Sequence, residues 1–167
     1  MNQSFRLANA GRLGRAKTVR FSFDGQDYAG VEGDTLASAL IANGVHLVGR
    51  SFKYHRPRGI LSAGAEEPSA LVGIHRDAAR KTPNIRATVQ ELYDGLTAVS
   101  QNRWPSLSLD AGAVNDLASP FFAAGFYYKT FMWPKAAWKS LYEPMIRKAA
   151  GLGKAPSAPD ADRYTQV

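Results

Sequence analysis

Residues 49–70 read GRSFKYHRPRGILSAGAEEPSA, and two different chemistries meet in that stretch. Its first half places Arg50, Lys53, His55, Arg56 and Arg58 within nine residues, with Phe52 and Tyr54 interleaved. Five donors so close together point to contact with an anion or an acidic partner surface, since arginine offers a bidentate fork to carboxylates and phosphates. A plain solvated face is a second reading. Base stacking on Phe52 and Tyr54 beside phosphate contacts is a third. The second half is a Gly/Ala/Ser/Glu loop with the spacing Ser62-x4-Glu67-x2-Ala70. Glu66 and Glu67 are adjacent carboxylates, but no calcium-loop spacing surrounds them, so surface charge is expected there.

Upstream, Val19–Phe23 and Asp27–Val31 read as strands around Asp24-Gly25-Gln26, a strong hairpin-turn signal. Gly33-Asp34-Thr35 opens a helix, with Asp34 or Thr35 as its cap and Leu36, Ala39, Leu40 and Asn43 at helical spacing. Gly44 is placed to end it, and Val45–Val48 reads as a short buried strand. Downstream, Ala70–Ile74 is a strand and His75–Asn84 an exposed polar loop. Ile85–Leu92 and Leu96–Val99 read as two more strands flanking Tyr93-Asp94-Gly95. Beyond residue 100 the composition changes, and half of the chain's aromatic residues fall between Phe121 and Tyr142. Pro134 sits at a helix start, and Lys135–Ala150 carries Trp138, Leu141, Tyr142, Met145 and Ile146 at helical spacing. Such a segment is expected to lie on another surface, with Phe126, Tyr127, Phe131, Trp133 and Trp138 as apolar anchors. Residues 154–167 (KAPSAPDADRYTQV) have the makeup of an interdomain linker.

The 167 residues suffice for one domain with an appendage, and the hydrophobic share of 45% excludes wholesale disorder. A net charge of +7 admits anionic partners. The absence of cysteine excludes disulfides, thiolate-ligated metals and thiol nucleophiles. No run of 18 apolar residues exists to span a bilayer. The first 17 residues are basic and acid-free but lack a secretory apolar core; a solvated lead-in and a cytoplasmic protein are expected. His55 is the one tempting general base, yet no serine or carboxylate stands near it in a triad context. A satisfied or surface histidine is expected there, a strand residue at His46 and an exposed one at His75. No nucleotide-binding glycine motif, phosphate loop or zinc-protease motif is present.

The stretch SFKYHRPRGIL with the Ser62–Ala70 loop resembles a plant-type 2Fe-2S ferredoxin-like β-grasp domain, in the version found in amine- and amino-acid-oxidising flavoenzyme subunits. There the basic motif is followed by C-x4-C-x2-C and a later R-A-C. The four cysteine positions fall here on Ser62, Glu67, Ala70 and, in Arg86-Ala87-Thr88, on Thr88. None can supply a thiolate. Together with GDTLASALIANGV (33–45), TVQELYDGL (88–96), SQNRWPSL (100–107), GAVNDL (112–117) and GFYYKTFMWP (125–134), the chain resembles the N-terminal region of alpha subunits of heterotetrameric sarcosine oxidases. The resemblance implies an α+β, β-grasp domain without cluster (17–100) after an N-terminal arm (1–16). An aromatic-rich helical extension (101–153) and a linker to a dinucleotide-binding domain (154–167) follow.

The resemblance further implies partnership with the rest of the alpha subunit and with beta, gamma and delta subunits. The whole complex demethylates sarcosine oxidatively to glycine, giving hydrogen peroxide and, with tetrahydrofolate, 5,10-methylenetetrahydrofolate. FAD, FMN, NAD and tetrahydrofolate belong to that complex. For this chain the expectation is a structural role with no catalytic, cofactor-binding or metal residue of its own, and with neither nucleic acid nor membrane as partner. Another flavo-oxidoreductase subunit, or a basic anion- or nucleic-acid-binding module, is the alternative.

Overall fold

The computed structural model describes residues 3–14, 16–117, 119–121 and 134–149, and isolated positions 156, 158, 159 and 161. Strand β1 (Thr18–Phe23) alternates outward Thr18 and Arg20 with inward Val19, Phe21 and Phe23, the period of a half-buried strand. It turns back through Asp24 (φ 51°) and Gly25 (φ 80°) into β2 (Gln26–Val31). Two consecutive positive φ angles give the twist that a two-residue hairpin needs, which is why Asp-Gly stands there. Helix α1 (Leu36–Ala42) starts on a capping box, with the Thr35 hydroxyl accepting from the Ser38 amide and the Ser38 hydroxyl from the Thr35 amide. Gly44 (φ 78°) ends it, as expected.

Five further strands complete the fold: β5 (Leu71–His75), β6 (Lys81–Arg86) and β7 (Leu96–Ser100) join the main sheet, while β3 (Gly49–Arg50) and β4 (Pro57–Arg58) form a separate small ladder. The five-stranded sheet runs β2-β1-β7-β5-β6, with β7 parallel to β1 and every other pair antiparallel. A mixed sheet with one helix packed on it agrees with the β-grasp expectation. The fully buried Leu36 and Leu40 of α1 meet Leu96 of β7 and Val72 of β5 in the core. Each such side chain contributes about 1.5–3 kcal/mol by leaving water.

Three local expectations are corrected. Val45–Val48 is not a strand; Val48 donates to the Arg58 carbonyl and the ladder begins only at Gly49. The loop after β5 is shorter than His75–Asn84, because β6 already starts at Lys81. On this edge strand only Pro83 and Ile85 are half-buried, and Pro83 and Asn84 (φ 58°) sit at a break in register, so hydrophobic alternation is faint. The expected strand 85–92 ends at Arg86, where Ala87 turns inward to bond Ala70 and Ala37. Nor does β7 form a hairpin with β6: the Asp94-Gly95 turn docks on Arg20 and sends β7 between β1 and β5.

The N-terminal arm is not merely solvated. Gln3 donates to the Ala29 carbonyl, Phe5 to that of Ala42, and Arg6 reaches the fully buried carboxylate of Asp34 at 2.5 Å. At the far end, residues 135–149 are helical but not one α-helix. A 3-10 turn (Lys135–Ala137) and a π turn (Trp138–Tyr142) precede α3 (Glu143–Ala149), and a four-residue helix α2 (Val114–Leu117) lies upstream. Trp138 is half-buried. Phe126, Tyr127, Phe131 and Trp133 lie outside the described residues, and no aromatic cluster forms among those described in the extension. No helix of the described residues is long and apolar enough to cross a membrane.

Candidate functional site

The loop 61–70 curls on itself because Gly64 adopts a left-handed φ of 68° and a 3-10 turn (Gly64–Glu66) follows. The backbone on either side then faces inward. Glu66 stays exposed, whereas Glu67 is completely buried, against the surface-charge expectation. Its carboxylate accepts four backbone N–H groups: Leu61 and Ser62 at 2.7 Å on one oxygen, Ser69 at 2.6 Å and Ala70 at 3.0 Å on the other. Burial alone pushes such a carboxyl up. Here the donors from Ser62, Ser69, Ala70 and Leu61 outweigh it and hold Glu67 below the usual carboxylate range. The Arg86 guanidinium donates to the Glu67 carbonyl, and the Thr88 hydroxyl donates to the Gly64 carbonyl at 2.6 Å, closing the far side.

All four degenerate cluster positions are therefore gathered around one point. Ser62 and Ala70 present amides to it, Glu67 fills it, and Thr88 ties down its rim. They do not fit a 2Fe-2S cluster: two hydroxyls, a carboxylate and a methyl group replace the thiolates, and the Glu67 carboxylate already takes the inward amides. No group of three or more His, Asp or Glu side chains that would hold a metal occurs among the described residues.

The basic stretch folds as a tight hairpin. β3 and β4 pair Gly49 with Arg58 and Arg50 with Pro57, and His55 (φ 55°) returns its amide to the Ser51 carbonyl. The four cations part company here. Arg50 turns inward, donating to the Leu107 carbonyl through two nitrogens and to the His55 carbonyl at 2.8 Å. Lys53 and Arg56 both sit over the Tyr54 ring, 4.9 and 4.8 Å from its centre. Arg56 also pairs with Asp116 at the surface, and Arg58 is exposed, with a long 3.4 Å contact to the Ser69 hydroxyl.

His55 does have a carboxylate partner, one that adjacency in sequence hides. Its Nδ1 lies 2.6 Å from Oδ2 of Asp110, whose side chain is wholly buried. Asp110 also accepts the amides of Trp104 at 2.8 Å and Gly112 at 3.1 Å, and the Arg50 Nε stands 3.5 Å away. Burial raises the Asp110 carboxyl; the Trp104 amide, His55 and the Gly112 amide pull it down further, to below its ordinary value. The pair fastens residues 104–112 onto the hairpin. Gly112 is needed because a Cβ there would stand 2.3 Å from the His55 ring. Of the other histidines, His46 lies outside any strand, exposed and edge-on to Phe5. His75 is half-buried, and burial and Lys81 lower its pKa.

Gly59 closes the basic motif for a similar reason. A Cβ at that position would lie 2.7 Å from the carbonyl oxygen of His46, a backbone atom that cannot swing aside. Gly59→Ala is expected to cost about 1–3 kcal/mol, read as a lower urea midpoint with an unchanged slope. A midpoint equal to that of the parent would show the contact to be absent.

Comparison with known proteins agrees with this geometry. Residues 16–103, more than half of the chain, match the family of the 2Fe-2S iron-sulfur cluster binding domain. Sarcosine oxidase subunit alpha of Rhizobium meliloti (strain 1021) is 64% identical over 161 residues, covering 96% of this chain and 16% of that protein. The same subunit of Corynebacterium sp. (strain U-96) is 43% identical over 89 residues, covering 52% of this chain and 9% of that one. A crystal structure of L-proline dehydrogenase from P. horikoshii overlaps 53% of this chain and 16% of its own, at 22% identity and a TM-score of 0.43. This chain thus spans 16% or less of the length of these relatives. By the match and by the fold, the chain belongs to the family of the 2Fe-2S iron-sulfur cluster binding domain, as a member whose cluster positions carry no thiolate.

Proposed function

We propose that this chain serves as a non-catalytic, structural region of a sarcosine oxidase alpha subunit, a ferredoxin-like module kept for its shape rather than for electron transfer. The observation that carries the reading is the buried Glu67 carboxylate, which fills the place of a redox centre with groups that cannot change oxidation state. The 64% identity to the Rhizobium meliloti subunit supports the setting. In that setting the assembled oxidase converts sarcosine to glycine with FAD, FMN, NAD and tetrahydrofolate held elsewhere in the complex. The β-grasp unit is residues 17–100, the extension 101–153 and the linker 154–167.

Its outward face is the docking surface. Arg56 and Arg58 supply exposed charge, and on the segment fastened beside them Trp104, Leu109, Val114 and Leu117 are each more than 60% exposed. Exposed large apolar side chains bordered by arginine are the makeup of a protein interface. By residue type alone, Phe126, Tyr127, Phe131, Trp133 and Trp138 are the aromatic anchors of the same proposed docking role. Arg50 and His55 support it from beneath.

The test is assembly. With the double change Arg56→Glu and Arg58→Glu, co-purification of the full-length alpha subunit with its partner subunits is expected to fall roughly tenfold or more. The fold itself should hold, because the exposed Arg56–Asp116 pair is worth about 0–1 kcal/mol. Undiminished recovery of the complex would remove these two arginines from the interface.

A further inference from the structure

Backbone N–H groups converging from a turn form a concavity that binds anions. Loop 61–70 has four such groups in two pairs, from Leu61 and Ser62 on one side and Ser69 and Ala70 on the other. Among the described residues no cation forms an ion pair with the carboxylate between them, so the amides alone meet its charge. The family's cofactor is itself an anionic centre tuned by hydrogen bonds to its sulfurs. A loop built to wrap such a centre keeps its inward donors when the thiolates are lost, and four buried unpaired N–H groups are costly.

We propose that the loop is an anion seat and that the Glu67 carboxylate is its built-in occupant, holding the loop closed as the cluster does in metal-binding members of the family. The seat is specific for a small monocarboxylate: two oxygens, each taking two N–H donors, on a carboxylate that is fully buried. Emptied of its own side chain, it accepts a free carboxylate of the same size. This rests on the geometry of the loop and not on the docking proposed above, so either can fail without the other.

The experiment uses the full chain with Glu67→Ala and Glu67→Gln, followed by thermal unfolding in sodium chloride and in matched sodium acetate. Acetate carries the methyl carbon and carboxylate that the alanine variant lacks. Both variants are expected to lose on the order of 10 °C in Tm. Glutamine keeps the volume but turns an NH2 donor towards two N–H donors, so size alone does not rescue it. The alanine variant should regain most of its loss as acetate rises, with the saturating dependence of a bound ligand. The parent and Glu67→Gln should show only the general salt response. A glutamine variant as stable as the parent would overturn the proposal, leaving Glu67 as mere filler. So would an alanine variant no more responsive to acetate than the parent.

A variant that folds only in acetate supports the seat. Should Glu67→Ala fold in neither salt, hydrogen exchange on the parent decides. Protection of the Leu61, Ser62, Ser69 and Ala70 amides well beyond that of the exposed loop at residues 76–80 supports the proposal, and exchange as fast as that loop refutes it.

Discussion

Replacing Asp110 by alanine is expected to remove about 3–5 kcal/mol of stability, the usual consequence of deleting one member of a buried, hydrogen-bonded charge group. The change leaves the His55 ring and the Trp104 and Gly112 amides without their acceptor, and takes away the charge 3.5 Å from the inward Arg50. Those four groups come from both sides of the contact between the basic hairpin and residues 104–112. The two parts should therefore come apart together. Urea unfolding at pH 7 reads the loss, and Trp104, already 70% exposed, should become more mobile by fluorescence anisotropy. Asp110→Asn keeps a carbonyl oxygen for the two amides and should cost less. A loss under about 0.5 kcal/mol on alanine substitution, the ordinary range for a surface change, would mean that the carboxylate does not fasten the segment.

Acidification is expected to destabilise the protein steeply, because Glu67 and Asp110 act in the same direction. Both carboxyls are held below their ordinary values in the folded chain and return to about 4.3 and 3.9 when it unfolds. Between the folded and unfolded values the unfolded chain binds more protons, so stability falls with pH. Their contribution is fully present above about pH 5 and is lost as pH drops through the lowered folded values. His75, also lowered, adds a shallower loss of the same sign beginning near pH 6.5. Asp77 is lowered too, by Arg80 and nearby amides, but it is exposed and contributes little. Stability measured from pH 7 to pH 3 should decline most steeply below pH 4.5, and Glu67→Gln should flatten that limb. A parent profile level down to pH 3, or one whose slope the glutamine change leaves intact, would contradict the assignment.

Much of the fold is legible in short stretches of the chain. The Asp24-Gly25 turn, the alternation of β1, the Thr35 cap and the Gly44 stop each depend on neighbours within a few residues. The edge strand β6 was not legible, because only Pro83 and Ile85 are half-buried in it and the remaining positions are exposed. Its Pro83 and Asn84 belong to a break in register that only pairing with β5 creates. Nor did the order of strands follow from sequence adjacency: β7 lies against β1 because the Asp94-Gly95 turn bonds Arg20, a residue more than 70 positions earlier.

The candidate site divides in the same way. The motif SFKYHRPRG, the Ser62-x4-Glu67-x2-Ala70 spacing and the absence of cysteine are properties of the chain itself, and they settle that a ferredoxin-like loop is present without thiolates. Which arginine faces water, which glutamate of an adjacent pair is buried, and that Asp110 answers His55 across 55 residues were decided only by the folded molecule. A carboxylate's role depends on which donors surround it, and loop closure brings those donors from distant places without leaving a local pattern to read.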